Sequence, residues 1–136
     1  MANIAVATAA LVRPLEGAVI RRYTAAAAIV VGAPVYLSGN KLVSETNGGA
    51  AATAQALGIA IAPQPYQTTI AAGDAVDVVV FGPVTGYTGL AGGTRLFTSD
   101  DAGRIGDDAG DTTVNTVLGE AENATSIFVR IRWVQA

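Results

Sequence analysis

Along Ser126–Val134 the residues alternate: Ile127, Val129, Ile131 and Trp133 fall on one side, Phe128, Arg130, Arg132 and Val134 on the other. A period of two is that of an extended chain, so this stretch predicts a strand with one buried face and one partly polar face. Ala75–Phe81 is instead a nearly continuous β-branched run, which predicts a strand covered on both faces. Shorter strand candidates are Gly17–Tyr23, Pro34–Ser38, Lys41–Ser44, Leu57–Ala62, Thr94–Thr98 and Val117–Ala121. Five Pro and 16 Gly separate these runs, the punctuation of an all-β chain. Thr24–Ala28 and Ala50–Ala56 have helical propensity, but neither carries an apolar stripe at 3.6-residue spacing. One or two short helical turns are the most they predict.

The pattern repeats. Gly32-Ala33-Pro34-Val35-Tyr36-Leu37-Ser38 aligns with Gly93-Thr94-Arg95-Leu96-Phe97-Thr98-Ser99 at an offset of 61, and Leu57-Gly58-Ile59-Ala60 aligns with Leu118-Gly119-Glu120-Ala121 at the same offset. A long strand follows each pair of blocks, after a spacing about ten residues shorter in the second copy. The expected architecture is therefore a small all-β barrel or sandwich built from two related β-modules, about residues 17–82 and 93–136. They divide near Gly82–Gly92 and pack together because one such unit is too small to bury its own apolar face.

Residues 1–16 show no strand alternation and read as an extended N-terminal arm ahead of a single β domain at 17–136. Such an arm is ordered only where something ties it down. Ile4, Val6, Leu11, Val12 and Leu15 then need a neighbouring surface, with Arg13 near the anchor point; these six are the candidate partner-binding residues.

Composition removes most chemistry. The 136 residues contain no Cys and no His, which excludes disulfides, thiolate metal sites, a Ser-His-Asp triad and an HExxH zinc motif. Charged residues are only 14% against a usual ~25%, so a partner is expected to cover part of the surface. The net charge of −3 argues against nucleic acid as a ligand. No apolar run reaches the ~20 residues of a membrane span, and no targeting segment stands out. Charge is uneven: residues 1–41 carry a balance of +3 and residues 98–122 one of −6, which suits head-to-tail association or simple solubility.

The candidate sites each have a plainer explanation. Asp100–Asp111 is dense in carboxylates but lacks the EF-hand spacing, and it aligns with the Gly39–Ser44 hairpin, where Asp and Gly serve turns. Gly86, Gly89, Gly92 and Gly93 have no Gly-Lys-Ser/Thr after them and read as the inter-module linker. Glu120 with Glu122, and Asp74 with Asp77, are conceivable acid–base pairs, though edge charges explain them equally well. No enzyme activity, metal or cofactor is expected.

The Gly-Ala-Pro-Val-Tyr-Leu block, the Leu-Gly-Ile-Ala strand, Ala72-Gly73-Asp74-Ala75-Val76-Asp77-Val78 and the closing Val-x-Ile-x-Trp strand resemble capsid cement (decoration) proteins of tailed bacteriophages over residues 17–134. The resemblance implies a barrel-like β fold and a homotrimer on the outer surface of the virion, made in the host cytoplasm. It implies the major capsid protein as partner, a terminal arm laid on the capsid, and no catalytic residues, nucleic acid or membrane. The alternative is a carbohydrate- or cell-surface-binding β-module of a phage fibre or bacterial surface, for which Tyr36, Tyr66, Tyr87 and Trp133 are the stacking candidates. A hydrolase using Asp or Glu ranks last.

Overall fold

The computed structural model describes residues 5–6, 9–47, 51–99, 101–107 and 116–133. In chain order the strands are β1 (Ala5–Val6), β2 (Arg13–Pro14), β3 (Val19–Ala25), β4 (Ile29–Val30), β5 (Pro34–Gly39), β6 (Leu42–Glu45), β7 (Gly58–Ile61) and β8 (Thr69–Ile70). They continue with β9 (Ala75–Thr85), β10 (Tyr87–Thr88), β11 (Arg95–Thr98), β12 (Ile105–Gly106), β13 (Thr116–Ala121) and β14 (Ser126–Trp133). A 3₁₀ turn covers Ala9–Leu11, and a single helical turn, α1, covers Ala51–Ala54. The second Ala-rich stretch thus supplies the one α-helical turn among the described residues. The first, at Thr24–Ala28, runs out of β3 into a bend.

Strands β3, β9, β7, β5 and β6 close into a five-stranded barrel. Every contact in the ring is antiparallel except β6 on β3, which is parallel. Val35, Val43, Ala60, Val76 and Val78 on these strands are fully buried. The expectation that 75–81 is covered on both faces is not met: Val76, Val78 and Val79 are buried, but Ala75 and Phe81 are exposed, and what flanks this half of β9 is β3 on one edge and β7 on the other.

The second unit repeats this arrangement rung by rung. Its order β12–β11–β13–β14 matches β6–β5–β7–β9. Pro34 pairs with Ile59 and Val35 with Gly58; 61 residues on, Arg95 pairs with Glu120 and Leu96 with Gly119. Three backbone hydrogen bonds recur at the same offset. Gly32 N–H donates to Ala60 O as Gly93 does to Ala121, Ala60 donates to Ala33 O as Ala121 does to Thr94, and Ala33 donates to Val30 O as Thr94 does to Ala91. The turn glycines Gly32 and Gly93 have φ of 96° and 89°, a region that favours Gly. The following connection shrinks: Ile59 pairs with Val79, twenty residues on, whereas Glu120 pairs with Phe128, eight on. The second copy is therefore twelve residues shorter, two more than the sequence spacing suggests.

The units are not joined by a linker. β9 runs through Gly82 to Thr85, and its C-terminal half pairs with β14, so one strand belongs to both units. The Gly-rich stretch after it contains β10. A buried phenol ties the units: Tyr87 Oη donates to Gly32 O at 2.8 Å. So do two buried threonines. Thr116 Oγ1 accepts from Ala56 N–H and donates to Ala54 O, and Thr98 Oγ1 accepts from Thr116 N–H. In this way the α1 segment is hydrogen-bonded to β11 and β13. The second unit stays open: among the described residues β12 pairs only with β11, and β10 pairs with β1.

The closing strand follows its alternation, with Ile127 and Val129 fully buried, Ile131 packed against the core, and Arg130 and Arg132 exposed. The side chain of Trp133 lies outside the described residues. The N-terminal segment departs from the expected arm. β2 pairs with Thr85 and Val84 of β9, Leu15 N–H donates to Pro83 O at 2.9 Å, and Ala9 packs against the core. Residues 9–16 are thus built into the domain. Gly86 leaves room for Val12, since a Cβ there would lie 2.6 Å from Val12 Cα, and Gly82 leaves room for the chain that follows, since a Cβ there would lie 2.7 Å from Ala18 Cα.

Candidate functional site

The six residues expected to meet a partner separate into different environments. Ile4 lies outside the described residues, and Val6 is described only through the backbone pairing of β1 with Tyr87. Val12 is 6% exposed and belongs to the chain's own core, which corrects the expectation that it needs a neighbour's surface. Its burial depends on Gly86, 74 residues away, a contact no local pattern reveals. Leu15 is half-buried. Leu11 remains 53% exposed, and Arg13 is exposed with no carboxylate paired to it among the described residues.

Leu11 and Arg13 line one wall of a groove of about 360 Å³ whose other wall is the Pro63–Gln67 turn. Tyr66 stands at that turn, 77% exposed. Its φ of 64° is in the left-handed region, where a bulky L-residue is strained. Of the aromatics proposed for stacking, Tyr36 is half-buried, and Tyr87 is enclosed, its burial pushing the phenol well above the ordinary tyrosine range. Of these four aromatics, Tyr66 is the one whose described side chain is largely exposed.

A second surface lies on the sheet face. Val19 and Ile20 of β3 are 50% and 43% exposed, and Phe81, the direct cross-strand partner of Val19, is 45% exposed. The Phe81 ring meets Phe128 edge to face at 5.2 Å. Leu37 and Leu42 add exposed apolar surface at the β5–β6 hairpin. Alternation predicts that outward positions on these strands are polar, so the exposed apolar pair Val19 and Phe81 marks surface that gains by being covered.

Between the two units is a cavity of about 270 Å³, walled by Val30–Ala33, Tyr87 and the Ala102–Ile105 turn. Glu45 supplies its carboxylate, whose Oε2 accepts from Val30 N–H at 3.1 Å. Gly103 makes room for it, since a Cβ there would fall 2.7 Å from the carboxyl carbon.

The carboxylates weighed as acid–base pairs are occupied elsewhere or apart. Glu120 accepts from Arg130 at 2.8 Å and Arg132 at 3.1 Å, while Glu122 is exposed beyond the strand end. Asp77 is bridged to Arg22 at 2.8 Å, and Asp74 is exposed in the preceding turn. Of the Asp100–Asp111 cluster, Asp101 and Asp107 are exposed, and Asp100, Asp108 and Asp111 lie outside the described residues. No group of three potential metal ligands forms among the described residues. No family model matches the sequence, and no curated protein matches it.

Proposed function

We propose that this protein is a non-catalytic cement protein that binds the outside of a tailed-phage head as a homotrimer, bridging major capsid subunits. The observation that carries the reading is the solvent-exposed apolar cross-strand pair Val19 and Phe81, in a chain whose segments resemble that family. Burying such a pair stabilises a complex by about 25 cal/mol per Å² before association and ordering costs. A trimer engages several weak contacts at once, so avidity holds it on the shell.

Co-sedimentation with empty, undecorated heads of a tailed phage tests the reading. Wild-type protein is expected to pellet with the heads, and Phe81→Glu to remain in the supernatant with an unchanged melt. Equal pelleting of both would remove the pair from the account. The carbohydrate-binding alternative has one observation in its favour, the exposed Tyr66; reproducible glycan-array binding lost in Tyr66→Ala, with no pelleting on heads, would favour it instead.

A further inference from the structure

The two units differ at the point where the ring closes. In the first, Leu42 and Val43 of β6 pair with Thr24 and Ala25 of β3, and that contact completes the barrel. The ladder gives their counterparts in the second unit: Leu37 pairs with Val43, and Thr98, 61 residues on, pairs with Ile105. Ile105 therefore holds the place of Val43, both being buried, and Arg104 holds the place of Leu42. Among the described residues β12 pairs with β11 alone. Arg104 and Ile105 line the cavity of about 270 Å³ instead, together with Val30 and Tyr87.

This unclosed seam carries two unlike charges. Arg104 is exposed and Glu45 is half-buried. The Glu45 carboxyl group lies against Gly103, one residue from Arg104. No salt bridge joins the two among the described residues, and Glu45 is held through Oε2 by Val30 N–H. A carboxylate and a guanidinium that border one cavity without pairing each keep charge-assisted hydrogen bonds to give. Their charges cancel, so the site suits neither a simple cation nor a simple anion. A molecule with both charges satisfies both groups. Val30, Val31, Ala33 and Ile105 supply apolar wall beside them. The volume exceeds the ~150 Å³ that accommodates benzene and falls short of the ~300 Å³ at which pockets for drug-sized ligands begin. That is room for one small metabolite.

We propose that the cavity binds a free aliphatic α-amino acid. Its ammonium group faces Glu45, its carboxylate faces Arg104, and its side chain lies against Val30 and Ile105. The site shares no residue with the Val19 and Phe81 pair, so it and the attachment to a phage head stand or fall separately.

Isothermal titration calorimetry of the full chain tests it with three ligands of one carbon skeleton. These are L-leucine, isocaproate, which lacks the ammonium group, and isoamylamine, which lacks the carboxylate. Leucine is expected to bind saturably, and each single-charge analogue at least about tenfold more weakly, since each forfeits hydrogen bonds to a charged group. Glu45→Gln keeps an acceptor for Val30 N–H; it should weaken leucine about tenfold and leave isocaproate unchanged. Arg104→Gln, at an exposed position, should weaken leucine as much and leave isoamylamine unchanged. No saturable heat with leucine at millimolar concentration would overturn the inference. Isocaproate or isoamylamine binding as tightly as leucine would overturn it too, because one charge would then suffice. Leucine affinity unchanged in either variant would put the binding elsewhere and overturn this site. The comparison of the three ligands on wild type holds whether or not a variant folds.

Discussion

Gly58 and Gly119 occupy the same rung of the two units, facing Val35 and Leu96. At both, a Cβ would overlap a backbone carbonyl oxygen of the next strand, that of Val79 or Phe128. Gly119→Ala should therefore cost about 3 kcal/mol or more by chemical denaturation. Gly73→Ala, at a φ of 88° but with open space around it, should cost only about 1–2 kcal/mol; equal losses would show that φ alone matters. The Leu-Gly match is visible in the sequence, but its cause, a strand passing too close for any side chain, is not. Tyr87 gives a second test. Removing its hydroxyl strands the buried Gly32 carbonyl, so Tyr87→Phe should cost about 1–2 kcal/mol near neutral pH. Burial raises the folded phenol above the ~10 of an unfolded tyrosine. Its stabilising contribution is full below pH ~10 and is lost as pH rises toward the folded value. Wild type should lose stability above pH ~10 in urea titrations, and Tyr87→Phe should lose less; parallel decline would place the alkaline sensitivity elsewhere.

Among the elements, β9 and the segment before β3 show how far periodicity reaches. The closing strand and the β-branched run were legible as strands because local alternation and composition define them. The N-terminal segment was not: Val12 has no local pattern, and the close approach that buries it is permitted by Gly86, 74 residues on in the sequence. Deleting residues 2–14 should consequently destabilise the domain, by about 1.5–3 kcal/mol for uncovering Val12 alone, and should expose the β9 edge at Val84–Thr85. A thermal melt of the truncated protein reads this directly, and an unchanged melt would return the segment to the status of a free arm.

At the scale of the whole molecule, the common offset of 61 contained the unit order and even the rungs, because paired strands inherit their register from the blocks that were aligned. It did not contain the closure of one unit and the openness of the other, which turns on β6 reaching β3 while β12 pairs only with β11 among the described residues. The candidate surfaces were legible only in part. Leu11 and Arg13, two of the residues expected to meet a partner, are exposed, and Tyr66 is one of the four aromatics named for stacking. The exposed pair Val19 and Phe81 and the cavity at Glu45 required the strands to be brought together. Under the proposed function the exposed surfaces among these are the means by which a small, sparsely charged β protein reinforces a shell under internal pressure. The rupture temperature of DNA-filled, undecorated tailed-phage heads, followed by dye access to the released DNA, tests that most directly. Adding the protein should raise the rupture temperature in a saturable manner, and Phe81→Glu should leave it where it was. Heads that open at the same temperature with saturating wild-type protein as without it would contradict the account.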